Sequence, residues 1–466
     1  MTGAANPVAR LVDHVVGTTY EALPSSVVQA AKIFILDTFS CALAGTTGPS
    51  ADEVVSATRS WGQGDDAGVW GRSLRLPGPS AALVNAYHIH CLEFDCVHEG
   101  GVLHPMSSLM AALMAETERH TARGGKPVTG KEFIAAVAAG IDVSCSIAVA
   151  SKAPMRFFRP ASVGGFGSTA ACAKIRGFTR DQTWNALGVM YGQTSGTMQA
   201  HVEGSKLLGL QVGFAARGAV ASCDLVAAGV EGPKDILTGV WGYLPLFEGA
   251  YDIEPAWSQF GKVYRLTEIG HKPFPSGRLT HYAVDALQRL QAAHGFKADD
   301  VANVVCRVPP LPKRLVGRPD IADPLPNYAK LCLGYVCATA LIKGTVDQFD
   351  FLPDALKRAD VHALAARVEV IEDGNPDPNA FGPQTIIVTL KNGDQHEITI
   401  TAAIGDPKNR FPRDRQIEKF WRCWNSTPQP LPQDNGQRLI EMIDSLERVP
   451  DMTALVRMMT PPPGAV

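Results

Sequence analysis

The run AVAAGIDVSCSIAVA, residues 136–150, is apolar nearly all round a helical wheel, so it must be buried rather than lie on a surface. A chain containing it has to supply other helices to enclose it. Apolar residues recurring at three and four predict helices over 24–44, 50–61, 80–93, 106–120, 130–150, 164–175, 180–196 and 207–228. Many are rich in alanine and glycine, small faces that let helix axes approach. No run of 18 apolar residues occurs, and MTGAANPVARLVDHVVG lacks the basic region, apolar core and cleavage site of an export signal. The expectation is a cytoplasmic protein with no membrane partner.

The texture changes near residue 269. HKPFPSGRLTHYAVDALQRL opens a helix with proline chemistry, and VANVVCRV reads as a first strand. ARVEVIED, QTIIVTLKNG and GDQHEITIT are further strands, the last two joined at Asn392-Gly393. RDRQIEKFWRCWN and GQRLIEMIDSLERV return to helical spacing, and three prolines stop the tail MMTPPPGAV. At about 150 residues per domain, the chain exceeds one ordinary core. The expected fold class is mainly α with an inserted α+β domain. Residues 1–268 form the first part of a helical domain, 269–404 a smaller α+β lid, and 405–466 the rest of the helical domain. A crevice between two such units is a natural place for a small ligand.

A net charge of -3 and a pI near 6.5 offer no basic field to nucleic acid or to an anionic membrane. Ten cysteines scattered without paired spacing read as reduced thiols. No Walker loop, dinucleotide fingerprint or GxSxG elbow is present; the glycines of SVGGFGS open a helix without a preceding strand. Small-molecule work without a nucleotide is what remains.

Chemistry concentrates in NAYHIHCLEFDCVHEGGVLHPMSS, residues 85–108, with four histidines and three carboxylates in a chain only 19% charged. Basic residues precede proline at three expected helix starts: His104-Pro105, Arg159-Pro160 and Lys272-Pro273. Proline suits the first helical position, where free amides and the positive dipole end attract anions, so the set suggests a clamp for carboxylates. His104 is the leading general base, since imidazole accepts protons near neutrality. His88 and His90 alternate across a predicted helix and read as core residues. The histidines and carboxylates suffice in number for zinc, yet their spacing fits no strong signature, so no metal is expected. Lys206 opens a helix after the polar lead YGQTSGTMQAHVEGS, where its ammonium can meet an anion. Tyr335 lies in an otherwise apolar helix, where its hydroxyl needs a partner.

These blocks together resemble the MmgE/PrpD superfamily. DTFSCALAG is similar to its N-terminal helix, HCLEFDCVHEGGVLHP to its acidic block ending in His-Pro, and HKPFPSGRLTH to its Lys-x-x-Pro block. FRPASVGGFGSTAACAKIRGF and YAKLCLGYVCATAL resemble two further helices, and all five stand in the family's order. The resemblance implies a homodimer and a cleft without metal or organic cofactor. It implies catalytic roles for Glu93, His104, Lys206, Lys272 and Tyr335, with Arg159, Asp95 and Ser107 assigned to substrate binding. The expected function is a cofactor-independent lyase, 2-methylcitrate dehydratase-like, moving a proton next to a carboxylate of a small di- or tricarboxylate. Epimerisation of a dicarboxylate such as iminodisuccinate, decarboxylation of cis-aconitate, and a catalytically lapsed carboxylate-binding protein are the alternatives. Arg159 and Cys96 depart from the family pattern; an arginine stays protonated and grips a carboxylate but cannot act as a base.

Overall fold

The computed structural model describes residues 6–462, so the end of the proline-rich tail lies outside the described residues. Helix Gly78–His90 stands at the centre of the helical part, packed against Ser25–Gly45, Pro105–Ala122 and Leu207–Ala227. Close approach is possible because small residues sit at the crossings. A Cβ on Gly45 would lie 1.8 Å from the carbonyl oxygen of His88, and one on Gly213 2.8 Å from that of Leu83. Gly130–Val149, which holds all but the last residue of the nearly all-apolar run, packs on Gly164–Ile175. Ser25–Gly45 and Gly130–Val149 are long and apolar enough to span a membrane by length and composition, but 89% of each such window is buried inside the protein.

The smaller part holds a four-stranded sheet in the order Val368–Glu372, Val301–Val308, Gln384–Leu390, Gln395–Ile400. The first pair is parallel, with Val304 opposite Val368; the other two are antiparallel, with Val304 opposite Val388 and Val388 opposite His396. Gly393, at a φ of 96°, makes the final hairpin turn. Helices His281–His294 and Leu333–Lys343 pack against the sheet. Arg413–Trp424 and Gln433–Asp444 then return to Ser25–Gly45. The molecule is thus mainly α with a smaller sheet domain.

Two joints set the cleft between these parts. Val97–His98 pairs antiparallel with Ile269–Gly270. Glu99 accepts from Arg278 Nε at 2.7 Å and from the Tyr282 hydroxyl at 3.0 Å. The loop leading to His104 is therefore stitched to the start of the sheet domain. Gly45→Ala drives a methyl into a helix backbone; a loss of about 1–3 kcal/mol is expected from overpacking, read by urea denaturation followed at the helical circular dichroism band.

Candidate active site

Helix Gly78–His90 ends three residues earlier than its apolar periodicity predicts. The Glu93 amide bonds back to the His90 carbonyl at 2.9 Å, and Glu93 takes a left-handed φ of 54°. That conformation is uncommon for a non-glycine residue. It turns the carboxylate into a cavity of about 60 Å³ between the two parts, lined also by His104, His201 and Val102. Val102, at a φ of 51°, is β-branched and so a second strained position on the same wall.

Behind the wall lies a charged cluster. Lys272 Nζ donates to Glu93 Oε2 at 2.8 Å and to the Glu93 carbonyl at 3.1 Å. His90 sits between two carboxylates, Nδ1 at 3.0 Å from Asp95 Oδ2 and Nε2 at 3.3 Å from Glu93 Oε1. Ser107 donates to Asp95, and His104 Nδ1 lies 3.0 Å from the Cys96 carbonyl and 3.3 Å from Asp95 Oδ2. The rings of His90 and His104 meet edge to face at 4.8 Å.

Charge states follow from these neighbours. Burial pushes the Glu93 carboxyl up, but Lys272, then His90 and His104, outweigh it and bring its pKa to about 2. Asp95 is likewise held well below the carboxylate range, burial being overcome by His90 and His104. For His90, burial opposes the charged form, while Asp95 and Glu93 raise its pKa above the usual histidine value. A cationic imidazole also suits the end of a helix. His104 is pushed the other way, by burial first and by Lys272 next, and so favours its neutral form. His201 is lowered to about 3 by burial and by Arg318, whose Nη2 donates to His201 Nδ1 at 3.0 Å. Its proton is then on Nε2, since the one hydrogen bond of the ring among the described residues is accepted by Nδ1.

Glu93, Asp95, His104, Ser107 and Lys272 are brought together, but Asp95, Ser107 and Lys272 are fully buried behind the wall rather than facing a ligand, which corrects the assignment of Asp95 and Ser107 to substrate binding. Three further expectations are corrected. Arg159 is buried and closed off: it donates to Glu248 at 3.2 and 2.9 Å, to the Gly101 carbonyl at 3.2 Å and to Ser151 at 2.9 Å. Lys206 stands before helix Leu207–Ala227, exposed, along a surface groove with Pro49, Leu325, Pro326 and Asn327. Tyr335 donates its hydroxyl to the carbonyls of Asp350 at 2.9 Å and Ala355 at 3.2 Å, away from the cavity.

Histidine placement is corrected too. His90 belongs to the charged cluster, while both ring nitrogens of His88 are buried without a hydrogen-bond partner among the described residues. His201 was hidden in the polar lead read for Lys206, and nothing in that lead marks it out. Buried Lys330, whose Nζ donates to the Cys91 carbonyl at 3.0 Å, was also missed. Its signal was a lone charge in an apolar stretch. His90, Asp95 and His104 offer ligand atoms within 4.8 Å of one another, compact enough for a cation. Both histidines, however, turn Nδ1 to the same carboxylate, and His90 is biased towards protonation, an arrangement that suits proton handling.

Lys272→Met leaves Glu93 without its main counter-charge and is expected to cost about 3–5 kcal/mol at neutral pH. Because the folded Glu93 pKa of about 2 lies below its ordinary 4.5, this stabilisation is present above about pH 4.5 and is lost as pH falls towards 2. Denaturation midpoints of the wild type and the variant should therefore converge on acidification.

Two family descriptions match the chain, the MmgE/PrpD N-terminal domain over residues 9–256 and the MmgE/PrpD C-terminal domain over 274–448. Cis-aconitate decarboxylase of Aspergillus terreus is 25% identical over 461 residues, covering 94% of this chain and 93% of its own. The mouse (Mus musculus) cis-aconitate decarboxylase is 24% identical over 460 residues, covering 94% and 90%. The 2-methylcitrate dehydratase of Cupriavidus necator is 25% identical over 383 residues, covering 78% and 76%. These relatives are lyases, and the two matched domains span most of the described fold. The chain belongs to the MmgE/PrpD family.

Proposed function

We propose that the protein is a lyase that moves a proton at the carbon next to a substrate carboxylate, and that its reaction is dehydration. The observation that carries this reading is the state of His104. Its Nδ1 is tethered to Asp95 and the Cys96 carbonyl, its ring lines the cavity, and its hydrogen bonds and ion pairs among the described residues all run through Nδ1, leaving Nε2 free. Asp95 fixes the tautomer, so the free lone pair belongs to Nε2.

His104 Nε2 takes the proton from the carbon α to the carboxylate. The electron pair left behind closes a carbon–carbon double bond as the β-hydroxyl departs, and the proton held by His104 leaves with it as water. The extra negative charge that develops on the carboxylate oxygens is met by the His201 Nε2 proton. A donor placed in advance against such charge is commonly worth about 3–4 kcal/mol. Glu93 and Lys272 hold the wall and the charge balance rather than the substrate.

Relatives named as decarboxylases raise the rival reading of carbon dioxide loss followed by proton delivery to carbon. That step needs an acid, whereas burial and Lys272 hold His104 in its neutral, basic form. The balance favours proton removal as the first event.

In deuterated water, wild-type protein with a 3-hydroxy acid should show α-deuteration and water loss by NMR, and His104→Gln should lower both by about 10²–10⁴-fold while retaining ligand binding. The acid limb should follow His104: activity falls as pH drops through a pKa below the ordinary 6.5 and levels off above it. Near-normal exchange in the variant would remove His104 from the role.

A further inference from the structure

His201 reaches the cavity wall on a short strap, residues 197–203, with a glycine at each end. Gly196 has a φ of 143° and Gly204 a φ of 70°, values that side chains disfavour, so the strap can swing about both. Its first residue is tied to the helical part, Gln211 of Leu207–Ala227 holding both the amide and the carbonyl of Thr197. Its far end is tied to the sheet domain. Arg318 donates from Nη1 to the Val202 carbonyl at 3.4 Å, and from Nη2 to the His201 carbonyl at 3.0 Å, to the Leu315 carbonyl at 3.1 Å and to His201 Nδ1 at 3.0 Å. A Cβ on Gly204 would lie 2.6 Å from the amide nitrogen of Tyr328, whose ring packs 4.9 Å from the same guanidinium.

Arg318 is half-buried and has no carboxylate partner among the described residues, although burial works against its charge. A guanidinium neither accepts a hydrogen bond nor gives up its proton, so the nitrogen it meets on His201 must be bare and Nε2 must carry the proton. The charged groups facing His201 are Arg318 and Arg314 of the sheet domain, which oppose its protonation, and Glu93 of the turn, which favours it; of the three, Arg318 weighs most. Others nearby are engaged elsewhere. Glu203, on the strap itself, accepts from Gln199, Lys330 donates to the Cys91 carbonyl, and Lys206 stands in solvent beyond the second glycine.

We propose that Arg318 is the positioning residue for His201, reaching across from the sheet domain to pin the strap and to aim the Nε2 proton into the cavity. The donor is then complete only while the two parts are docked. When the cleft opens, the guanidinium withdraws, and the imidazole is free to turn or to pass its proton from one nitrogen to the other. Closing the cleft and readying the donor thus become one event. The inference rests on the proton-transfer reading above for the use made of the Nε2 proton, while the pinning itself stands on the hydrogen bonds of Arg318.

The test is long-range proton–nitrogen correlation NMR of the histidine rings in the full-length protein, with His201 assigned by the signals lost in His201→Gln. The wild type is expected to show a bare Nδ1 and a protonated Nε2 across the neutral range. Arg318→Ala is expected to show a mixture of tautomers and protonation at higher pH than in the wild type. Its turnover of a 3-hydroxy acid should fall by about 10²-fold with KM little changed, and millimolar guanidinium ion should restore both the ring pattern and the turnover. Should Arg318→Ala not fold, Arg318→Lys is read in the same way, since a single ammonium cannot serve the ring and both strap carbonyls. A wild-type ring pattern in the variant, or a lost pattern that guanidinium fails to restore, would overturn the inference. A lost pattern with unchanged turnover would instead remove His201 from the proton-transfer reading and leave the pinning by Arg318 standing.

Discussion

Three ammonium groups converge on four residues of backbone. Lys330 donates to the carbonyl of Cys91, Lys272 to that of Glu93, and Lys419 to that of Phe94. All three lysines are essentially without solvent contact. Burying an ammonium costs several kcal/mol unless it is well partnered, and the carbonyls at a helix end are unpaired and carry the negative end of the helix dipole. Each need answers the other. Lys330 shows the strain: burial dominates and its pKa falls to about 8, with Cys91 and Glu93 opposing the fall. Under this clamp the chain leaves its helix in the left-handed turn at Glu93, and every polar group of the site takes its direction from that turn.

The clamp also explains why a site built from so many charges presents so few of them. Positive groups that a carboxylate ligand would seek are consumed in holding backbone and in closing ion pairs, as with Arg159 and Glu248. What reaches the cavity is an ionised carboxylate, the Arg278 guanidinium already paired with Glu99, two histidines biased to neutrality and an otherwise apolar lining. Such a surface handles a proton well and grips an anion weakly. The bias of His90 towards protonation reinforces this, because positive charge beside His104 disfavours a second one there.

Much of the architecture was legible because it depends on local periodicity. Helices over 105–122, 164–175 and 207–227, and the strand 301–308, follow patterns of apolar spacing that packing merely completes. The stretch containing Glu93, Asp95, His104 and Ser107 was legible as a unit since its members are near in sequence. Contacts across long separations were not. Lys419 falls on the apolar stripe of its helix with Phe420, Cys423 and Trp424, and nothing in that stripe tells of Asp37 at 2.7 Å. Lys206 and Tyr335 misled for the matching reason: a polar residue beside a helix start, or inside an apolar helix, has several ways to be satisfied, and here Tyr335 found backbone carbonyls while Lys206 stayed in water.

Lys419 joins Asp37 across 382 residues while also holding the carbonyls of Phe94 and Lys272 and lying 3.8 Å from the Phe94 ring centroid. On the ribosome, the helix that needs this lysine is finished long before the lysine itself is made. Until the last tenth of the chain emerges, the turn at Glu93 lacks one of its three supports, and Asp37 waits without its counter-ion. The reactive geometry is therefore among the final things the growing chain acquires, so an incomplete chain carries the histidines and carboxylates without the completed turn that aims them.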